Sequence, residues 1–155
     1  MEFKSHQLSP ANLVSIFNSA FIDAQLTDDD LFCLLKDKRD VFIWVEKERN
    51  LINYFCQLAL PQDFKESDAR LLVNTYNSKL PLIKTYYQSN KNKSNINIIF
   101  RYEYALLEHD TVNPKTLVRL HRIFQEIIDN SGIVYRELFV KHDIWSISKK
   151  LLFMK

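Results

Sequence analysis

Glycine is nearly absent from this chain, because Gly132 is the only one among 155 residues. Loops that cradle phosphate need several glycines, since their backbone adopts positive φ and approaches the ligand closely. The chain therefore contains no dinucleotide-binding GxGxxG fingerprint, no Walker loop and no glycine-flanked nucleophile elbow. This single count excludes several large classes of enzyme but leaves ordinary helices and sheets open.

The length and composition are those of a globular domain. Hydrophobic residues make up 46% and charged residues 26%, and the net charge of +2 is too small to indicate nucleic acid as a partner. No apolar run approaches the roughly 18 residues of a membrane span, and the N-terminus lacks a secretory h-region. Cys33 and Cys56 lie in apolar runs without metal-ligand spacing, which is typical of buried thiols in a reducing compartment. We therefore expect a cytoplasmic protein with no integral membrane segment.

Two helices are indicated by a capping residue followed by proline at the first helical position. Ser9 and Pro10 begin the first, and Asn113 and Pro114 begin the last. Apolar residues recur at helical spacing behind each pair. The first helix is expected to end near Asp23.

A further helix lies between these two, and its start is ambiguous. Asp63 resembles the first residue of a capping box, while Ser67 is a competing N-cap. Pro81 ends this helix, because the residue before proline is pushed out of the α region. In the last helix, Gly132 either caps the C-terminus or lies within a longer helix that ends near Phe139.

Short runs rich in β-branched and aromatic residues predict five strands. The runs are 31–36, 41–47, 51–60, 84–88 and 96–107. Connections of hairpin length join the first three, and the last run alternates apolar and polar residues. We therefore expect an α+β fold with an antiparallel five-stranded sheet, helices packed mainly on one face, and the order α-βββ-α-ββ-α. The prediction is a single domain over 1–139, followed by a short basic amphipathic tail over 140–155.

Several local segments fit one known pattern in this same order. They are the opening helix LSPANLVSIFNSAF, the segment LVNTYNSKLPLIKTYY, the strand INIIFRYEYALLEHD and the final helix PKTLVRLHRIFQEII. Together with the meander, these segments resemble the YbjN family of bacterial sensory-transduction regulators, whose fold is similar to that of type III secretion chaperones. The resemblance covers about residues 9–139 and depends on patterns of apolar residues.

The resemblance implies a cytoplasmic, non-enzymatic, dimeric α+β protein that binds another polypeptide. The family pattern contains no catalytic residues that could be assigned to positions in this chain. Two features depart from the pattern. Secretion chaperones are typically acidic, whereas this chain has a pI near 8.5. The basic aromatic tail after Phe139 also lies outside the segments that match.

Residues suited to catalysis or metal binding are scattered along the chain. No two of the four histidines have the i, i+4 spacing of a helical metal site; they are His6, His109, His121 and His142. His109 beside Asp110 is the best remaining pair, since a carboxylate can orient an imidazole, but a turn at the end of a strand also explains both residues. The run 28–30 of three aspartates lacks the alternate spacing and the glycine of a calcium loop, and favours a solvated turn. We expect no enzyme, no metal and no cofactor.

One predicted strand is apolar on both faces. Phe42 and Trp44 alternate with Val41, Ile43 and Val45. One explanation of this pattern is that other elements of the fold bury the strand on both of its faces. If helices cover only one face, an exposed aromatic strip remains, and such strips mark interfaces. Phe42 and Trp44 are therefore candidate partner-binding residues, with homodimer packing and a client protein both open.

The tail over 140–155 is a second candidate for binding. It carries four lysines against the single acidic residue Asp143, a net charge of +3. Basic and apolar residues at helical spacing suit an anionic membrane or a protein partner, whereas docking of Trp145 onto the domain's own core is the alternative. Trp145 is the candidate contact residue of this segment.

These observations favour a non-catalytic cytoplasmic protein-binding module of chaperone-like fold. It would act as a regulator through protein–protein contact, and it would bind through the sheet face or by strand addition at an edge. The alternative is an immunity protein that neutralises a cognate toxin, since small glycine-poor α+β chains serve that purpose. A weaker third hypothesis is a small enzyme with a site assembled around His109 and Asp110.

Overall fold

The computed structural model describes residues 2–90, 95–106 and 111–139. In these ranges the helices α1, α2 and α3 are Pro10–Ser19, Glu66–Lys79 and Pro114–Phe139, and a single 3₁₀ turn is Ser5–Gln7. The strands β1 to β8 are, in chain order, Phe3–Lys4, Asp23–Leu26, Cys33–Lys36, Asp40–Glu46, Leu51–Ala59, Lys84–Asn90, Asn95–Ala105 and Thr111–Val112. None of the helices within these ranges combines the length and the apolar character needed to cross a membrane.

Six strands form one sheet in the order β2-β3-β4-β5-β7-β6, and β1 pairs with β8 in a separate two-stranded sheet. The first four strands of the larger sheet are antiparallel neighbours, with Phe42 facing Leu34 on one side and Phe55 on the other. The predicted α+β class and antiparallel sheet are confirmed. The prediction of five strands is wrong, because β2 adds a sixth.

Strand β2 begins where the sequence predicts the end of the first helix. Ser9 caps α1 as expected, and its Oγ accepts a hydrogen bond from the backbone N–H of Asn12 at 3.1 Å. The chain then turns at Phe21, whose φ is 62°. The Asn18 side chain accepts from the N–H of Ala24 at 2.9 Å and donates to its carbonyl at 3.2 Å. This bridge satisfies the backbone N–H and C=O of Ala24 as a neighbouring strand would, so a short and mostly exposed segment becomes extended.

Helix α2 has a different cap from either of the two predicted ones. Its N-cap is Lys65, and neither Asp63 nor Ser67 holds that position. The side chain of Asp68 reaches back and accepts a hydrogen bond from the Lys65 N–H at 2.9 Å. Half of a capping box therefore closes the first turn, with the carboxylate at the N-terminal end of the helix where it is favoured.

Helix α3 is the longer of the two alternatives that the sequence leaves open. The Asn113 side chain accepts from the Lys115 N–H at 2.9 Å, and Pro114 occupies the first helical position. The helix then runs through Gly132 to Phe139. Gly132 therefore lies within the helix and adopts no positive φ.

The chain divides into two compact units. The first contains the described parts of 2–56 and 101–125, and the second contains the described parts of 57–100 and 126–139. In the first unit, α1 and the start of α3 cover one face of β3, β4 and β5. The hydroxyl of Tyr54 donates to the carbonyl of Leu117 at 2.9 Å, and its ring lies 6.1 Å from that of Phe124.

The second unit has its own buried contacts. The Asn77 side chain of α2 accepts from the Thr85 N–H at 2.8 Å and donates to the Thr85 carbonyl at 2.9 Å, which joins the helix to β6. The rings of Tyr76 and Phe100 lie 5.5 Å apart. A further ring cluster comprises Phe64, Tyr135 and Phe139.

Candidate functional site

Strand β4 presents different environments on its two faces. Val41 and Ile43 are fully buried beneath the helices of the first unit, whereas Phe42 and Trp44 on the opposite face are half-buried. The register places Phe42 beside Leu34 and Phe55, and Trp44 beside Asn53. Of the two alternatives for this strand, the structure therefore favours a partly exposed aromatic strip.

Four rings on this face contact one another and are here called the aromatic cluster; they are Phe32, Phe42, Trp44 and Phe55. Phe32 lies 5.3 Å from Trp44 and 6.4 Å from Phe42, with interplanar angles of 83° and 86°. Phe55 lies 6.1 Å from each of the same two rings. Edge-to-face contacts of this kind hold the rings in place. All four remain half-buried, so a rigid apolar surface is accessible in the first unit.

A charged group borders the aromatic cluster. The guanidinium carbon of Arg101 lies 5.5 Å from the centre of the Trp44 ring, within the range of a cation–π contact. Its Nη2 donates to Glu46 and to the Asn53 side chain, each at 3.0 Å. Its Nε lies 3.1 Å from a carboxylate oxygen of Glu103. Arg101 is therefore held at a fixed position, and its charge is balanced by two carboxylates.

The sequence anticipates only part of this arrangement. Arg101 pairs with Glu103 two residues along β7, a separation that period-two spacing places on one face of a strand. Phe55 shares the face that alternation assigns to Asn53, so its position was available from period-two spacing. Phe32 lies before β3 but within the predicted run 31–36, where alternation places it on the same face as Leu34. The contacts of Arg101 with Glu46 and Asn53 link residues 55 and 48 positions apart, which spacing along a strand does not predict.

The other candidate residues do not form a site within the described ranges. His109, Asp110 and Trp145 lie outside those ranges, so their predicted roles stay predictions. Among the residues that the structure describes, no group of three or more histidine, cysteine, aspartate or glutamate side chains is placed to hold a metal ion. Cys33 and Cys56 are buried and not joined in a disulfide, as expected.

The three aspartates of 28–30 form a turn. The carboxylate of Asp29 accepts from the Thr27 hydroxyl at 2.6 Å and from the Leu31 N–H at 3.1 Å. These hydrogen bonds lower the pKa of Asp29, with that from Thr27 contributing most. Asp30 adopts a φ of 58° and donates its N–H to the Thr27 carbonyl. The carboxylate of Asp29 therefore stabilises the turn through its own hydrogen bonds. This agrees with the prediction of a solvated turn over 28–30.

A buried polar pair on the helix-covered side of the first unit has no signal in the local sequence. His121 of α3 is fully buried, and its Nε2 lies 2.9 Å from a carboxylate oxygen of Asp37. Its ring packs edge-on against Phe17 at 6.0 Å. Burial lowers the pKa of His121, while the hydrogen bond with His121 lowers the pKa of Asp37. The pair joins α3 to the turn before β4, where it stabilises the fold.

Comparison with known proteins supports the fold. No family model and no curated protein matches the chain. A solved structure that it matches is the crystal structure of YbjN, a proposed transcription regulator from E. coli, with a TM-score of 0.63. The match covers 83% of this chain and 90% of that one, at 11% sequence identity. The structural resemblance to YbjN is thereby confirmed, and at this identity it establishes the shared fold alone.

Proposed function

We propose that this protein is a non-catalytic regulator that binds another polypeptide through the aromatic cluster. The observation that carries the proposal is the state of the four rings, which contact one another and yet remain only half-buried. A closed core would leave no ring accessible. Aromatic residues scattered singly over a surface would make no such contacts, and they would need no functional explanation.

The geometry of the cluster suits protein recognition. Binding costs conformational entropy when side chains must be ordered, and rings already fixed by their neighbours reduce that cost. Tryptophan and arginine are enriched among the residues that dominate binding energy. Trp44 lies between Phe32, Phe55 and Arg101, so it is the expected centre of the interface.

The charged residues at the border of the aromatic cluster indicate the chemical character of the partner's surface. Glu46 and Glu103 hold Arg101 with about a quarter of each of the three side chains exposed. These groups can exchange hydrogen bonds at a polar rim, which is the usual arrangement around an apolar interface core. The fitting partner is a polypeptide that presents apolar side chains to Trp44, and a second copy of this chain meets that description as well as another protein does.

The test compares the protein with two variants. Trp44→Ala removes the central ring of the cluster, and Leu71→Ala removes an exposed apolar side chain from α2 as the matched control. Light scattering after size exclusion measures self-association. Pull-down from native lysate with mass spectrometry identifies any stoichiometric polypeptide, and binding of that polypeptide is then measured directly. We expect Trp44→Ala to weaken the complex by about tenfold or more, since hot-spot truncations cost at least about 2 kcal/mol, while Leu71→Ala leaves it unchanged.

Two results contradict the proposal. The first is a complex whose affinity is the same for Trp44→Ala as for the unaltered protein. The second is global unfolding of Trp44→Ala by circular dichroism, because that would place Trp44 in the core. A folded Trp44→Ala variant that loses its partner supports the proposal.

A further inference from the structure

The first unit contains a groove that the aromatic cluster does not use. It lies between the C-terminal part of α1 and the first turns of α3 and has a volume of about 500 Å³. Its lining includes three apolar residues, here called the floor, which are Ile16, Ala20 and Val118. It also includes three cations, here called the wall, which are Lys115, Arg119 and Arg122. An apolar floor beside a basic wall is suited to a ligand that is both apolar and anionic.

The three cations form one stripe along α3. Their spacing of four and then three residues places them on the same helical face, and all three are exposed. None of them forms a salt bridge with a carboxylate of the described ranges. Other cations there do have such partners: Lys36 pairs with Asp40, and Lys79 with Glu137. Like charges at this spacing repel one another, so a bound anion would relieve a local cost.

Phe21 is a second, independent feature beside the groove. It follows Ala20 directly, is 99% exposed, and has a φ of 62°. Its N–H donates to the Asn18 carbonyl, and the next N–H donates to the Phe17 carbonyl, which closes the end of α1. Glycine takes this conformation without steric cost, whereas phenylalanine does not. The phenylalanine ring therefore adds almost no buried area to the fold, and an apolar side chain is exposed to solvent next to the groove.

We infer that this groove binds an acidic amphipathic segment of a polypeptide. Apolar side chains of the segment occupy the floor, and its carboxylates pair with the three cations. Phe21 contacts the segment at the end of the groove. Along α3 the cations span about 10 Å, from seven residues at 1.5 Å each, so the segment carries two or three carboxylates over about two helical turns.

The shape of the site favours a peptide over a membrane surface. An anionic bilayer also attracts basic and aromatic residues. However, the floor is recessed, and Ile16 within it is only 7% exposed. A flat surface contacts protruding side chains and leaves such a floor empty, whereas a peptide helix inserts its apolar face into a groove.

The test uses a labelled helical peptide of about 15 residues, with leucine on one face and glutamate on both flanks. A second peptide has every glutamate replaced by glutamine. Fluorescence anisotropy measures binding to the full chain. We expect the acidic peptide to bind with an affinity that falls as salt rises, and the glutamine peptide to bind at least about tenfold more weakly.

Two matched charge reversals locate the binding site. Replacing Lys115, Arg119 and Arg122 together with glutamate should reduce the affinity at least about tenfold. The control has the same change in net charge at three exposed cations outside the groove, Lys47, Arg70 and Lys84, and should bind as the unaltered protein does. Equal loss in both variants would overturn the proposal, because it would show attraction by net charge alone.

Further measurements separate this proposal from its rivals. Phe21→Gly should weaken peptide binding while raising the melting temperature, a combination that a purely structural role does not produce. Trp44→Ala should keep peptide binding, so this proposal and the one for the aromatic cluster fail independently. Failure of the acidic peptide to bind overturns the inference. If the protein binds phosphatidylserine vesicles but does not bind the acidic peptide, the inference is also overturned and the surface is assigned to membrane binding.

Discussion

The imidazole of His121 lies wholly within the protein and donates its Nε2–H to the carboxylate of Asp37, 84 residues away, at 2.9 Å. An ionised carboxylate only accepts hydrogen bonds, so it selects the tautomer protonated at Nε2. The Nδ1 atom is buried with no hydrogen-bond partner in the described part of the chain. His121 is therefore neutral in the native protein at neutral pH, in agreement with the lowering of its pKa by burial.

Protonation of His121 should destabilise the protein in acid. Its native pKa is below the ordinary value of 6.5, so the unfolded chain binds the proton first as the pH falls. The free energy of unfolding should therefore decrease below about pH 6.5 and continue to fall until the native pKa is reached. Urea denaturation at several values between about pH 7.5 and 5 measures this slope.

His121→Gln is the control for that slope, because glutamine keeps an amide donor and does not titrate. The variant should lose most of the pH dependence in this window. The Asp37 carboxylate, whose pKa is lowered by the hydrogen bond with His121, contributes stability that is lost only at more acidic pH. An unchanged slope in the variant would show that another group causes the acid sensitivity.

Cys33 should resist alkylation in the native state. It is fully buried in β3, and burial raises the pKa of its thiol to about 12. The thiolate is the reactive form, so at about pH 8 the folded protein should react with iodoacetamide much more slowly than the protein in denaturant. Peptide mapping after labelling measures both rates. An exposed cysteine introduced as Ser19→Cys serves as the positive control. Labelling of Cys33 at the rate of that control would contradict its placement.

Lysine substitutions should distinguish the two faces of β4. Ile43 is fully buried, so Ile43→Lys places an unpaired charge in the core and should cost more than about 4 kcal/mol, enough to unfold a marginally stable domain. Trp44 is half-buried beside Glu46, so Trp44→Lys can keep its ammonium in water and should cost about 1–2 kcal/mol. Chemical denaturation compares the two variants. Equal losses would mean that the aromatic cluster is covered.

Phe21→Gly should stabilise the protein by roughly 0.5–1 kcal/mol. The left-handed conformation costs a non-glycine residue about 1–2 kcal/mol, and the added freedom of glycine in the unfolded chain offsets part of that gain. Thermal denaturation should show an increase of a few degrees. Phe21→Ala keeps the unfavourable φ while removing the ring, so it should be neutral or slightly destabilising. Loss of stability in the glycine variant would indicate that the ring packs against the fold.

Local features of the sequence predicted much of the fold. Ser9 and Asn113 cap their helices because a side-chain oxygen can reach a backbone N–H two or three residues away. The alternation along 41–45 indicates two apolar faces, and the buried Ile52, Tyr54 and Cys56 of β5 follow from the same period of two. In β7 the consecutive residues Ile98, Ile99 and Phe100 are all buried, so alternation does not predict the burial at its centre. The alternation along 41–45 identifies Phe42 and Trp44 from local spacing alone.

The remaining features depend on contacts that no local pattern contains. Strand β2 is held by the hydrogen bonds between Asn18 and Ala24 and by its pairing with β3, although three of its four residues are exposed. Arg101 reaches the aromatic cluster only when β7 lies next to β5.

The sequence by itself determined where the helices and most strands lie and which of their faces are apolar, because helix caps and side-chain alternation act over a few residues. The tertiary structure alone decided that Phe32 and the rings of β4 and β5 form one cluster and that α1 and α3 enclose a basic groove. Hydrophobic burial is non-directional, so it does not specify which apolar faces meet. Chain connectivity and packing make that choice.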